Sequence, residues 1–328
     1  MVSTPGFDPN LFSNRLSVRD WQRINKHPRT PLLNRTISGL YAPGSTFKMV
    51  VLAAALEAGV ITSKTRYECT GAFEFGNRNF HCWNERGHGF VNAEQSLERS
   101  CDIYYYQIAL KTGINRIHDM ARRLGLGDVS ELGLVSEKEG IIPNRDWKLA
   151  KRGVVWTPGE TVVAGIGQGF VLTTPLQLAL MTARIANGKS AITPSLTSQN
   201  SQPETALFSP LDVSPDIIRF LHKSMRSVMT GRRGTARKYD IPQGIAGKTG
   251  TVQVKRISKE QREKGIIDNI DRPWKERDHA LFVAFAPYER PRYAISVIVE
   301  HGGSGSSAAA PIASDILDFM LKLDGVSA

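Results

Sequence analysis

Three short groupings in this 328-residue chain carry side chains able to do nucleophilic chemistry. The first is Ser45-Thr46-Phe47-Lys48, placed after the turn residues Pro43-Gly44. A serine hydroxyl becomes a useful nucleophile when a base removes its proton, and a lysine held in apolar surroundings gives up its own proton more easily. The alanine-rich run from Phe47 to Ala58 predicts a helix opening at Ser45. Residues three apart share a helix face, so Lys48 would reach the Ser45 hydroxyl, and the positive helix end would favour negative charge there. Taken alone, S-x-x-K reads more readily as a capping serine followed by a solvated lysine, because the pattern occurs by chance in many chains. The second grouping is Ser100-Cys101-Asp102 and the third is Lys248-Thr249-Gly250-Thr251, which opens a run rich in β-branched residues.

The elements that must position these groups follow from composition and periodicity. Residues 1–39 read as an irregular lead-in with a short helix near Ser17–Asn25, and the glycine-rich stretch 62–92 reads as a loop. One helix is expected from Ala93 to Lys111, closed by Gly113, and another over Ile114–Leu124. Residues 126–160 read as loop-rich. Thr174-Pro175-Leu176-Gln177 is a capping box with proline at the first helical position, predicting a helix that ends near Asn187-Gly188. After a polar connection at 189–209, a helix is expected over Ser214–Met229. Thr249–Val254, Ala280–Ala286 and Tyr293–Glu300 read as antiparallel strands, with a charged, mobile loop at 255–278 between the first two. A closing helix over Ala309–Leu323 would pack on the sheet through positions 312, 316, 317, 320 and 323. Helices first and strands later argue for an α+β fold.

Composition narrows the function classes. The chain is 41% hydrophobic and 22% charged, as expected of a globular protein with a real core. A net charge of +11 favours anionic partners. The basic residues at Arg226, Arg232, Arg233, Arg237 and Lys238, and again from Lys255 to Lys264, lack interleaved aromatics. They read as a solvated face and not as a nucleic-acid site. The longest apolar run, Met49–Leu56, falls far short of the ~20 residues a membrane span needs.

The three groupings occur in the order S-x-x-K, S-x-D and K-T-G, the combination of the serine penicillin-recognising enzymes. The sequence resembles the transpeptidase domain of penicillin-binding proteins, and within them the class B, elongation-type branch known as penicillin-binding protein 2. Supporting stretches are Pro31–Arg35, Phe80-His81-Cys82-Trp83, Gly87-His88-Gly89, Gly165-Ile166-Gly167-Gln168-Gly169 and Glu300-His301-Gly302. The resemblance covers essentially the whole chain, 1–328, as one transpeptidase domain. It implies an antiparallel sheet flanked by helices, an all-helical subdomain, and an active cleft between them. It also implies a membrane anchor and an N-terminal pedestal outside this chain, and a location at the periplasmic face of the inner membrane.

By that resemblance, Ser45 attacks the penultimate D-alanine carbonyl of a peptidoglycan stem peptide while Lys48 takes its proton. Backbone N–H groups of Ser45 and Thr251 hold the oxyanion. Ser100, helped by Lys248, passes a proton to the departing D-alanine. Lys248, Thr249 and Thr251 bind the terminal carboxylate, Gly250 lets the substrate run beside the strand, and Gln168 is a candidate substrate contact. A second stem peptide then attacks the acyl-enzyme, and β-lactams acylate Ser45 by mimicry. No cofactor is expected for catalysis, and a glycosyltransferase of the elongation complex is the expected partner. Asp102 stands where the wider superfamily has Asn, as in elongation-type relatives; it accepts hydrogen bonds but cannot donate from an amide.

The three cysteines all lie between Cys69 and Cys101. With His88, Cys69, Cys82 and Cys101 would make a closed tetrahedral zinc site. His81 competes as the nitrogen ligand. A Cys69–Cys82 disulfide with Cys101 free, or three unlinked thiols, are the other readings. His301 could face the cleft or be structural, and Tyr104, Tyr105 and Tyr106 read as core. A β-lactamase needs a base for deacylating water, commonly in E-x-x-L-N. Here Glu204-Thr205-Ala206-Leu207 is followed by Phe208. A D,D-carboxypeptidase and a non-catalytic penicillin sensor or scaffold remain as rivals.

Overall fold

The structure is a computed structural model that describes residues 1–13, 15–197, 208–255, 265 and 267–326. After a short helix α1 (Val18–Asn25), capped by the Ser17 side chain, the chain builds its core around α2 (Lys48–Glu57). Every residue of α2 from Lys48 to Ala55 is buried, because helices lie against it on several sides. An all-apolar helix needs such a place. The α-helix does not open at Ser45: Gly44–Phe47 form a 3-10 turn and α2 starts at Lys48. Residues three apart are eclipsed in a 3-10 turn, so Ser45 and Lys48 still share one edge.

The single helix expected over 93–111 is two, α3 (Ala93–Glu98) and α4 (Asp102–Thr112). Asn92 and Gln95 form a capping box for α3, and its far end closes as a Schellman motif. There Cys101 N–H reaches Ser96 carbonyl at 2.9 Å and Ser100 N–H reaches Leu97 carbonyl at 3.2 Å. Such a motif requires a left-handed residue, normally glycine, and here that residue is Ser100 with φ 54°. The chain therefore turns at Ser100, and α4 leaves in a new direction.

Helix α5 (Ile114–Arg123) matches expectation. The 126–160 stretch ends in structure that composition concealed: α6 (Arg145–Arg152), capped by Asn144, and α7 (Pro158–Ala164), opened by a Thr157/Glu160 box. Helix α8 (Pro175–Asn187) carries the expected Thr174/Gln177 box and ends at left-handed Gly188. Helix α9 (Pro215–Thr230) is capped by Ser214.

The supposed loop at 62–92 holds two small antiparallel ladders. β1 (Tyr67–Cys69) pairs with β4 (Gly89–Val91), and β2 (Ala72–Phe75) pairs with β3 (Arg78–His81). The main sheet has the order β5 (Ala246–Val252), β6 (His279–Ala286), β7 (Tyr293–Val299), all antiparallel. Alternation splits the central strand between two cores: Leu281, Val283 and Phe285 join the core around α2, while Ala280, Phe282 and Ala284 join a second core behind the sheet.

That second core is closed by α10 (Ala310–Leu323), entered through a π-helical turn at Gly305–Ala309. Its buried face is Ala310, Ala313, Leu317 and Leu321, so of the five expected contact positions only 317 is buried. Ile312, Ile316 and Leu323 are exposed and Met320 is half-buried. The wider π turn sets the helix phase, and small alanines allow a close approach to the sheet. Of the charged segment at 255–278, residues 256–264 and 266 lie outside the described residues. From 267 onward it is folded, with Asn269 and Asp278 exchanging hydrogen bonds of 3.0 and 2.8 Å. Residues 198–207 of the polar connection, including Glu204–Leu207, also lie outside. Among the described residues no helix is long and apolar enough to cross a membrane.

Candidate active site

Ser100 is the hub. Its left-handed backbone aims the hydroxyl between two amines: Lys48 Nζ donates to Ser100 Oγ at 3.3 Å and Lys248 Nζ at 3.0 Å. Lys48 also donates to the Ser100 carbonyl at 2.9 Å and to Asp102 Oδ1 at 2.7 Å. Lys248 also donates to the Thr249 carbonyl at 2.9 Å. Lysines are almost never fully buried unless paired, yet both of these are 0% exposed. Among the described residues, no hydrogen bond joins Lys48 to Ser45, so the expected direct contact is replaced by the Lys48–Asp102 ion pair.

The charge count explains the electrostatics. Two buried amines face one carboxylate, and Lys48 holds it. Burial, and then the neighbouring Lys48 charge, push Lys248 well below the ordinary lysine range, which favours its neutral form. Burial is also the main influence on Asp102 and raises its pKa, against the lowering effect of Lys48.

Ser45, Ser100, Asp102, Gln168, Thr249 and Thr251 all line one open cleft of about 1520 Å³. The Ser45 turn is held from behind by the glycine cluster. Gly44 N–H donates to the Gly167 carbonyl at 2.9 Å, and a Cβ on Gly167 would sit 2.3 Å from the Gly44 carbonyl oxygen. From the other side β5 packs on the same turn; a Cβ on Gly250 would meet Thr46 Cγ2 at 3.1 Å. Among the described residues β5 is the edge strand of its sheet, so one of its sides carries no strand partner there. Thr235 and Thr249 share a hydroxyl contact at 2.8 Å, and Gly305 N–H donates to Thr251 Oγ1 at 3.3 Å.

Cys69, Cys82, His88 and Cys101 come together with all ligand atoms within 4.8 Å of one another. The three cysteines are free thiols, so no disulfide joins them. His88 Nδ1 lies 3.5 Å from both Cys69 Sγ and Cys82 Sγ, and its buried Nε2 has no hydrogen-bond partner among the described residues. His81 is not in the cluster; its carbonyl accepts from the Tyr106 hydroxyl at 3.0 Å. Contact with Cys101, then with Cys82, draws the Cys69 thiol down to about 3, and contact with Cys101 lowers Cys82. The same contacts, Cys69 first, push Cys101 up. Three crowded sulfurs sharing protons, beside one imidazole, form a donor set that fits zinc, whose ~2.3 Å bonds to sulfur would put tetrahedral thiolates about 3.8 Å apart.

A family profile described as penicillin binding protein transpeptidase domain matches residues 1–318. The chain belongs to that family. It is 34% identical over 332 residues to the peptidoglycan D,D-transpeptidase MrdA of Salmonella typhimurium, covering 98% of this chain and 53% of that protein. The penicillin-binding protein 2 (PBP2) of Pseudomonas aeruginosa, solved in complex with WCK 5153, superposes with TM-score 0.85 at 38% identity, over 98% of this chain and 68% of the other. PBP2 of Helicobacter pylori, solved in complex with MreC, gives TM-score 0.88 at 32% identity, over 98% and 57%. The chain spans about half the length of the curated penicillin-binding relatives it matches. Its α+β architecture is that of the penicillin-binding transpeptidases.

All three motifs of the sequence thus meet at one place, and the Cys/His cluster adjoins them. His301 is no cleft wall: its Nδ1 lies 3.0 Å from the Arg277 carbonyl and its ring packs on Trp274 and His279. Tyr104, Tyr105 and Tyr106 are buried as expected. Sequence reasoning missed Thr235, whose contact with Thr249 spans a gap of fourteen residues without any local pattern. It also assigned no role to Trp83.

Proposed function

We propose that this chain is a D,D-transpeptidase that cross-links peptidoglycan stem peptides through an acyl-enzyme on Ser45, and that β-lactams acylate the same residue. The observation that supports this reading best is the Ser100 hydroxyl spanning two buried amines at the cleft that Ser45 lines. Neutral Lys248 first takes a proton from Lys48 through Ser100; Ser45 Oγ then attacks the penultimate D-alanine carbonyl and its proton passes to the freed Lys48 amine, whose charge Asp102 balances. N–H groups of Ser45 and Thr251 take the oxyanion. Collapse of the tetrahedral adduct breaks the peptide bond, and the leaving amine receives a proton through Ser100, resupplied from the Lys48–Lys248 pair. The amine of a second stem peptide then attacks the ester and releases Ser45. Thr249 and Thr251 hold the substrate's carboxylate, Gln168 contacts its backbone, and the substrate extends beside Gly250.

Zinc held by Cys69, Cys82, His88 and Cys101 would tie the 67–91 segment to α4 and supply no chemistry of its own. The working location is the periplasmic face of the inner membrane, within the elongation machinery and beside its glycosyltransferase. Fluorescent penicillin labelling tests the nucleophile: wild type labels and Ser45→Ala does not. An unlabelled wild type overturns the reading. Incubation with lipid-linked precursor and glycan polymer, read by mass spectrometry, distinguishes cross-linking from the trimming a carboxypeptidase would give. Metal analysis of the purified chain settles the cluster.

A further inference from the structure

Trp83 follows Cys82 directly and is 62% exposed as a residue, so it contributes little to the core. Both of its N–H groups are nevertheless used. The indole N–H donates to both the Arg99 and Ser100 carbonyls at 3.1 Å, and the backbone N–H donates to Asp102 Oδ2 at 2.9 Å. The ring packs edge-on against His88, with centroids 5.4 Å apart. Arg99 and Ser100 stand at the C-terminal end of α3, where helix carbonyls lack intrahelical donors. Ser100 also sits in the left-handed region, which non-glycine residues occupy at a cost and keep only when neighbours fix them.

We propose that Trp83 is a positioning residue for the acylation step: its indole N–H pins the Arg99–Ser100 turn so that the Ser100 hydroxyl stays between Lys48 and Lys248. This rests on the transpeptidase reading above. Trp83 touches no reacting atom in this scheme. It links the Cys/His cluster to the proton relay through Cys82 on one side and the Ser100 carbonyl on the other.

The test is stopped-flow acylation of the purified, metal-loaded chain by a fluorescent penicillin. Trp83→Phe keeps a ring but removes the indole donor. The saturating acylation rate is expected to fall about tenfold, the scale of one lost hydrogen bond, while the half-saturating concentration, zinc content and Tm stay near wild type. An unchanged saturating rate overturns the proposal. So does a rise in half-saturating concentration alone, which would make Trp83 a binding platform for the antibiotic. If Trp83→Phe fails to fold, benzothienylalanine at position 83, which keeps the indole shape without the N–H, takes its place with the same readings. An inert wild type would instead count against the transpeptidase reading itself.

Discussion

The two walls of the cleft are built on different principles. The β5 wall stands on β6, whose residues Ala280–Ala286 are 0% exposed, with apolar layers on both faces. The opposite wall, from β1 through Ser100, is a set of short ladders held by three thiols, a histidine and the polar contacts of Trp83. Burial is non-directional and tolerates small shifts, whereas a ligand cluster fixes geometry at one point. The strand presenting Lys248 therefore rests on packing, and the serine facing it rests on a clasp.

The largest expected effect lies on the sheet side. Phe282→Ala should remove about 3–5 kcal/mol of stability, seen as a large fall in Tm whether or not metal is present. If the fall depends on metal, the two walls are not independent. Chelation comes next. With zinc in the Cys/His cluster, as proposed, stripping it should abolish hydrogen-exchange protection at 67–91 and slow acylation, yet leave 280–286 protected. Equal loss on both walls would erase the contrast.

The smallest effect concerns the polar contact that ties the sheet to the N-terminal segment. Burial alone would raise the pKa of Glu300, but the Tyr41 hydroxyl at 2.8 Å and the Arg35 guanidinium at 3.0 Å hold its carboxyl below the ordinary range. A depressed folded-state pKa means stability that is present above the unfolded value and lost as pH falls through the folded one. Glu300→Gln should accordingly lower Tm at pH 7, with the gap closing below about pH 4. A gap that persists in acid would show that the contact works through shape alone.

The same contrast governs what could be read from the sequence. The sheet strands and the Thr174 helix were legible because alternation and capping are local signals. The S-x-x-K, S-x-D and K-T-G groupings were legible because their chemistry restricts residue type. The clasp side was read as loop, although Gly76-Asn77 between Phe73-Glu74-Phe75 and Arg78-Asn79-Phe80 is a two-residue hairpin signal. Likewise Thr157-Pro158-Gly159-Glu160 repeats the Thr174 capping pattern and went unread. The break at Ser100 had no such signal. It depends on Lys48 and Trp83, which lie 52 and 17 residues away in the chain.

That break has a consequence for how the protein trades endurance against activity. Alanine and glycine at position 100 both delete the hydroxyl, so neither should sustain acylation. They should differ in folding, since only glycine enters the left-handed region freely, and Ser100→Gly should be more stable than Ser100→Ala by roughly 1 kcal/mol, seen as a higher Tm. Elsewhere in a helical segment alanine is the more stabilising of the two. At this one position the comfortable residue is the inert one, and the working enzyme carries its discomfort where the proton must pass.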